Sequence, residues 1–176
     1  MTHGNRHTAL HRYLSGITEN TFSVDLGMAD SRLIDYMVDL LLRFVHNDAI
    51  YSVRNPAGRR LDEVADMVAE AESRTGKPRR EVHRHIGDFT LFFSGVFPEA
   101  LRALRRAGRK DHFVDYCEQG KRAYYIASTI DGDEKPEGDV LARLSHQFER
   151  CAYGLNQVRK QWDSSDEDPM GHLLID

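Results

Sequence analysis

The chain has 176 residues, of which 40% are hydrophobic and 30% are Asp, Glu, Lys or Arg, with a formal net charge of −4. That length suits one domain able to bury about two-thirds of its unfolded surface. The longest apolar stretch, Phe89 to Phe97, is interrupted by Thr90, Ser94 and Gly95, so no transmembrane helix is expected. Residues Met1 to His7 lack the apolar core of a secretory signal, and two cysteines, Cys117 and Cys151, fit buried free thiols better than a disulfide scaffold, which points to the cytoplasm.

Residues 31–46 set Ile34, Met37, Val38, Leu41, Phe44 and Val45 on one helical stripe. Leu33, Leu40 and Leu42 widen it, which predicts a central, largely buried helix. Asp35, Asp39 and Arg43 fall on the polar side at i, i+4 spacing, a solvated ladder. Residues 60–73 repeat the period with Leu61, Val64, Ala65 and Val68 behind an acidic face, and Gly76 and Pro78 read as the stop. The next helix, 79–95, buries Val82, Ile86, Phe89 and Phe93. Pro98 opens a short helix over 98–107 that Gly108 closes.

Asp111 reads as the cap of a helix running to Ile130, where Asp131-Gly132 breaks it. An acidic loop spans 131–139, and a last long helix, 140–162, aligns Leu141, Leu144, Phe148, Leu155, Val158 and Trp162. The acidic tail 163–176 is expected to be mobile. No strand alternation or internal repeat stands out. The expectation is an all-α, single-domain bundle of six or seven helices over residues 1–162.

Charge is unevenly spread. Residues 74–110 hold ten Lys and Arg against three acids, about +7, which leaves about −11 for the rest of the chain. Within that segment Arg102, Arg105, Arg106, Arg109 and Lys110 would share one helix face, and with Arg79, Arg80 and Arg84 they could bind phosphate. Overall acidity and the lack of a nucleic-acid-binding signature disfavour nucleic acid as the partner. A solvated face, or one paired internally with the acidic loop 131–139 or the tail, is the plainer reading of this stripe.

The run from His83 to Glu99 places two histidines, Asp88 and two glycines in the most apolar part of the chain, as a buried hydrogen-bond knot or the wall of a site. Three histidines are followed three residues later by an acid: His85/Asp88, His112/Asp115 and His146/Glu149. On a helix such pairs share a face, so His85, Asp88, His112 and Asp115 form a candidate site for a divalent transition metal. Nine histidines and 28 acids make three such pairs an ordinary count, and locally bonded histidines are the plainer reading.

His3, His7 and His11 are spaced by four, good zinc or nickel geometry, but a solvated terminal face is the favoured reading. His46-Asn47-Asp48 reads as a polar helix end. Gly87, Gly120 and Gly154 within helices suggest close helix approach, since mid-helix glycine costs about 1 kcal/mol against alanine. Tyr116, Tyr124 and Tyr153 could carry their hydroxyls to buried carboxylates such as Asp88 or Asp115. His85, Asp88, Asp115, Tyr116 and Tyr124 are therefore the candidate buried polar or ligand-binding residues. No nucleophile with an evident base, phosphate-cradling glycine loop or Cys-x-x-Cys occurs, so no catalytic residue is assigned.

The segments Gly87-Asp88-x-x-Leu91-Phe92-x-Ser94-Gly95-x-Phe97 and Asp115-Tyr116-x-x-x-Gly120-x-x-Ala123-Tyr124-x-x-Ala127-Ser128 resemble a group of uncharacterised bacterial all-helical proteins. A later Phe148-to-Val158 segment is also similar, so the resemblance spans roughly 80–160. It implies the helical fold and no activity. Its matching polar positions are Asp88, Ser94, Asp115, Tyr116, Tyr124 and Ser128, with Cys117 standing where the group has a second tyrosine.

Two functional classes remain. The preferred one is a non-catalytic regulatory or protein-interaction module, with a protein partner or a second copy of the chain and no membrane. The alternative is a metal-dependent or small-ligand-binding bundle using the His/Asp pairs.

Overall fold

The computed structural model describes residues 3–45, 47–132 and 136–165, and within these it does not describe the side chains of residues 3–7 and 47. Among the described residues it is all-helical, with nine α-helices rather than six or seven, and one isolated antiparallel bridge, Arg54 to Arg60. The helices are α1 (His3–Glu19), α2 (Ser31–Phe44), α3 (Asn47–Ile50), α4 (Val64–Glu72), α5 (Gly76–Gly95), α6 (Leu101–Leu104), α7 (Tyr116–Thr129), α8 (Gly138–His146) and α9 (Phe148–Ser164). A π-helical turn, Asn20–Asp25, extends α1, and 3-10 turns cover Pro98–Ala100 and Lys110–Phe113. No described helix is long and apolar enough to cross a membrane.

The centre belongs to α5 rather than α2. Helices α2, α4, α7 and α9 all pack on α5, whose residues Ile86 to Phe93 are buried without interruption. An aromatic seam runs along it: Phe89 and Phe93 lie 4.8 Å apart, and Phe92 meets Phe44 at 5.0 Å. Helix α2 remains largely buried, from Leu33 to Phe44, with Asp30 capping it through Leu33 N at 3.2 Å. Helices α5 and α7 approach closely because neither carries a side chain where they cross. A Cβ on Gly87 would stand 2.6 Å from the Tyr124 ring, and one on Gly120 would collide with Thr90 Oγ1 and the Phe148 ring.

Several boundaries differ from expectation for local reasons. Helix α4 starts at Val64, because Leu61 N is drawn to Val53 O at 3.0 Å; Val64, Met67 and Ala71 form its buried stripe. Gly76, at φ +60°, opens α5 instead of ending α4. Pro78 then lies in the first turn of α5, where its missing N–H has no helical partner to lose. The 140–162 helix is two helices. Gln147 at ψ 18° breaks it, so that α8 packs on α7 while α9 packs on α5 and α1.

Asp111 caps a different helix from the one expected. Its carboxylate accepts from Val64 N at 2.8 Å and Ala65 N at 2.9 Å, closing the start of α4, and from the Tyr116 hydroxyl at 2.6 Å. Helix α7 is capped by Asp115, through Glu118 N at 3.1 Å. The acidic tail is helical to Ser164, with Trp162 buried and edge-on to Tyr13 at 5.7 Å; residues 166–176 lie outside the described residues.

Candidate functional site

Four residues of α5, Glu81, Arg84, His85 and Asp88, repeat at i, i+3, i+4 and i+7 and so share one helix face. This face forms one wall of a cavity of about 360 Å³. Arg43 of α2, the segment Ser52-Val53-Arg54, and Arg74 just after α4 close the rest of it. The 51–61 connection is held by the Arg54–Arg60 bridge and by a tight turn at Gly58, whose carbonyl accepts from Arg54 Nη1 at 2.9 Å. Arg74 is positioned by Glu70 at 2.9 Å and by the Arg54 carbonyl at 2.9 Å.

Asp88 anchors the inner end. Its Oδ1 accepts from the Tyr36 and Tyr124 hydroxyls at 2.6 and 2.7 Å, and its Oδ2 from Arg43 Nη1 at 3.1 Å. Arg84 Nε donates to the Tyr36 oxygen at 3.1 Å, which extends the chain to the cavity wall. Burial, and then the neighbouring Asp88 charge, push both tyrosines well above the ordinary phenol range, so they act as fixed neutral donors. With three donors on its two oxygens, Asp88 serves as an anchor rather than a free base.

His85 is buried, with Nδ1 3.2 Å from Ser52 Oγ. Burial pushes its pKa down to about 4, against the pull of Asp88 and the Ile50 carbonyl, so the ring is neutral at pH 7. Two buried nitrogens on the lining side chains, Arg43 Nη2 and His85 Nε2, have no hydrogen-bond partner in the protein. Four guanidiniums and two carboxylates, Glu81 and Asp88, line the cavity, while Asp39 and Glu70 pair with Arg43 and Arg74 from outside the lining.

The structure thus brings together His85, Asp88 and Tyr124 of the candidate set and leaves the others apart. Tyr116 turns to Asp111, Asp115 caps α7, and Tyr153 is exposed. His112 bonds the Arg105 carbonyl through Nδ1 at 2.8 Å and lies against Phe113. His85 and Asp88 therefore stand apart from the His112 and Asp115 networks, and among the described residues no group of three or more His, Cys, Asp or Glu side chains is placed to hold a metal. His146 is exposed and Glu149 pairs with Lys121 at 2.9 Å. His11 is exposed; the side chains of His3 and His7, and His46, lie outside the described residues. Cys151 is buried and Cys117 half-buried, both free, and burial pushes their pKa values up to about 12 and about 11.

The five-residue basic stripe does not form. Helix α6 ends at Leu104, so Arg102, Arg105, Arg106, Arg109 and Lys110 share no helix face. Arg109 pairs with Asp62, just before α4, at 3.5 Å and Lys110 with Asp66 of α4 at 2.7 Å, so these two cations take their counter-charge from there and not from the 131–139 loop. That loop is held elsewhere, Glu137 and Asp139 by Arg32, and the Pro136 carbonyl by Arg80; residues 133–135 lie outside the described residues.

Sequence reasoning missed Tyr36, Arg43, Ser52, Arg54 and Arg74. Arg43 looked like a solvated ladder residue, and it does bond Asp39 at 2.7 Å while also reaching Asp88. The one local signal was the i, i+3, i+4, i+7 set on α5. Compared with known proteins, the chain matches no protein family, no curated protein and no solved structure.

Proposed function

We propose that the protein is a non-catalytic, ligand-binding regulatory module that holds a small anion in the arginine-lined cavity. The carrying observation is the convergence of Arg43, Arg54, Arg74 and Arg84 on one cavity, with two buried nitrogens left without partners. Guanidiniums are the side chains of choice for carboxylate and phosphate because their forked donors match those oxygens. Unpaired buried donors cost about 1–3 kcal/mol each, which an acceptor-only ligand would recover. The volume of about 360 Å³ is within the range of small-molecule sites.

Docking of a protein partner has weaker support. Among the described residues the exposed large apolar side chains Tyr13, Val24, Phe113, Tyr125 and Tyr153 fall one each on five separate elements, an ordinary surface pattern. The kinship with the bacterial helical group belongs to the same proposal and rests on the motif residues alone.

The test is calorimetric titration of phosphate, sulfate and succinate into the full chain. At least one should bind, and Arg54→Gln should weaken it about ten-fold, a loss of roughly 1.4 kcal/mol. Arg102→Gln, on an exposed arginine of α6 outside the cavity, should leave the affinity unchanged. Absence of binding by all three anions would overturn the proposal.

A further inference from the structure

The donor set of the cavity narrows the chemistry of its anion. A planar carboxylate has two oxygens and is satisfied by one guanidinium fork. Here four forks arrive from four separate parts of the chain: Arg43 from α2, Arg54 from the 51–61 connection, Arg74 from the α4–α5 connection and Arg84 from α5. Ser52 and His85 add a hydroxyl and an imidazole. Arg74 spends its fork on Glu70 and the Arg54 carbonyl, and Arg43 spends Nε and Nη1 on Asp39 and Asp88; Arg43 Nη2, the remaining Arg54 and Arg84 donors, Ser52 and His85 still outnumber the two oxygens of one carboxylate.

The histidine has a defined part in this set. A neutral imidazole carries one proton and one lone pair. Its Nδ1 meets the Ser52 hydroxyl at 3.2 Å, and its buried Nε2 has no hydrogen-bond partner in the protein. In the tautomer that carries its proton on Nε2, His85 presents one N–H to whatever enters, and Arg43 Nη2 presents a second unpaired donor. Arg43 pairs with Asp39 and Asp88, Arg74 with Glu70 and Arg84 with Glu81, which leaves Arg54 as the lining guanidinium with no carboxylate partner among the described residues. Only Val53 and Val82 give the cavity apolar lining, so it suits a charged head group rather than an apolar tail.

We infer that the cavity takes the phosphoryl group of a small phosphate monoester in its dianionic form. This inference rests on the anion-binding reading above. A phosphate monoester offers three terminal acceptor oxygens, no donors when fully ionised, and a charge approaching −2 at pH 7. Burial holds the His85 pKa at about 4, so its ring stays neutral above pH 5.5.

Methyl phosphate, sulfate and succinate are titrated calorimetrically into the full chain at pH 5.5, 6.5 and 7.5. Methyl phosphate should gain about four-fold in affinity from pH 5.5 to 7.5 as its second proton leaves, with a pKa near 6. Sulfate, doubly charged throughout, should bind with no pH trend, and succinate should bind at least ten-fold more weakly than methyl phosphate at pH 7.5. His85→Phe, whose ring can keep the contacts with Phe44 and Phe89, should weaken methyl phosphate at least five-fold. Succinate binding as tightly as methyl phosphate, or methyl phosphate affinity falling with pH, would overturn the phosphoryl assignment while leaving an anion site intact. A phosphoserine peptide binding ten-fold more tightly than methyl phosphate would overturn the small-molecule assignment. Failure of all three small anions would remove the anion site itself.

Discussion

Asp88→Asn is the sharpest perturbation of the buried network, because the amide keeps the carboxylate's shape and removes only its charge. If the amide oxygen faces Tyr36 and Tyr124, the NH₂ group confronts Arg43 Nη1 at 3.1 Å, donor against donor. If the amide is turned over, Arg43 is satisfied but the buried Tyr124 hydroxyl loses its acceptor. Neither orientation serves both sides. Breaking a buried ion pair by removing one partner costs about 3–5 kcal/mol. Arg43 keeps Asp39 at 2.7 Å and is 31% exposed, so the expected loss is at the lower end, about 3 kcal/mol. Urea unfolding at pH 7.5 should show the midpoint falling by about 1.5 M, with the slope unchanged. The double variant Asp88→Asn/Arg43→Gln should be at least about 1 kcal/mol more stable than the two single losses predict by addition. A single-variant loss below about 1 kcal/mol, or strict additivity, would refute the network.

Three further outcomes are expected. The folded pKa of His85, about 4, is below that of an ordinary histidine, so the unfolded chain takes up its proton first as the pH falls. Its contribution is therefore present above pH 6.5 and lost on the way down to about 4. Between pH 7 and 4.5 wild type should lose about 2–3 kcal/mol more than His85→Phe in urea unfolding, and equal losses would contradict the burial argument. Gly120→Ala should lower the melting temperature by roughly 2–4 °C, because overpacking against Thr90 and Phe148 of about 2 kcal/mol outweighs a helix-propensity gain of about 1 kcal/mol; a higher melting temperature would count against that close contact. Asp111→Ala should destabilise by about 2–4 kcal/mol, through two helix-capping bonds and the Tyr116 hydroxyl, with Asp111→Asn milder. Equal effects of the two substitutions in thermal melts would argue against capping.

Helical periodicity made the all-α class legible, and α2, α5 and α7 cover most of their expected spans because their apolar stripes are wide, while the starts of α5 and α7 differ. The Tyr124-to-Asp88 bond and the close packing at Gly87 and Gly120 were legible for a related reason. A polar or small residue amid a buried stripe has few places to go. The arginine cavity was not legible, because it is assembled from residues 43, 52–54, 74 and 81–88, and only the last group is linked by helical spacing. Asp111 was misread because a cap is recognised by what lies three residues downstream. Its actual partners, Val64 and Ala65, lie 47 and 46 residues upstream. The basic stripe failed at Leu104, where α6 ends before its arginines can align.

The cap at Asp111 has a consequence for the order in which this protein assembles. A nine-residue helix is marginal in water on its own. The start of α4 is closed by a carboxylate from a 3-10 turn, and Glu63 accepts in return from Asp111 N at 3.1 Å. The two segments therefore gain their order together, as a long loop closed by a reciprocal clasp. Arg74 follows directly on the far end of that helix and is tethered to it through Glu70. Fraying at the clasp would thus travel along α4 and unfasten one guanidinium of a cavity that the clasp itself never touches. In hydrogen exchange, α4 and the 110–113 turn should open as one unit, with the Arg74 side of the cavity sharing its lifetime.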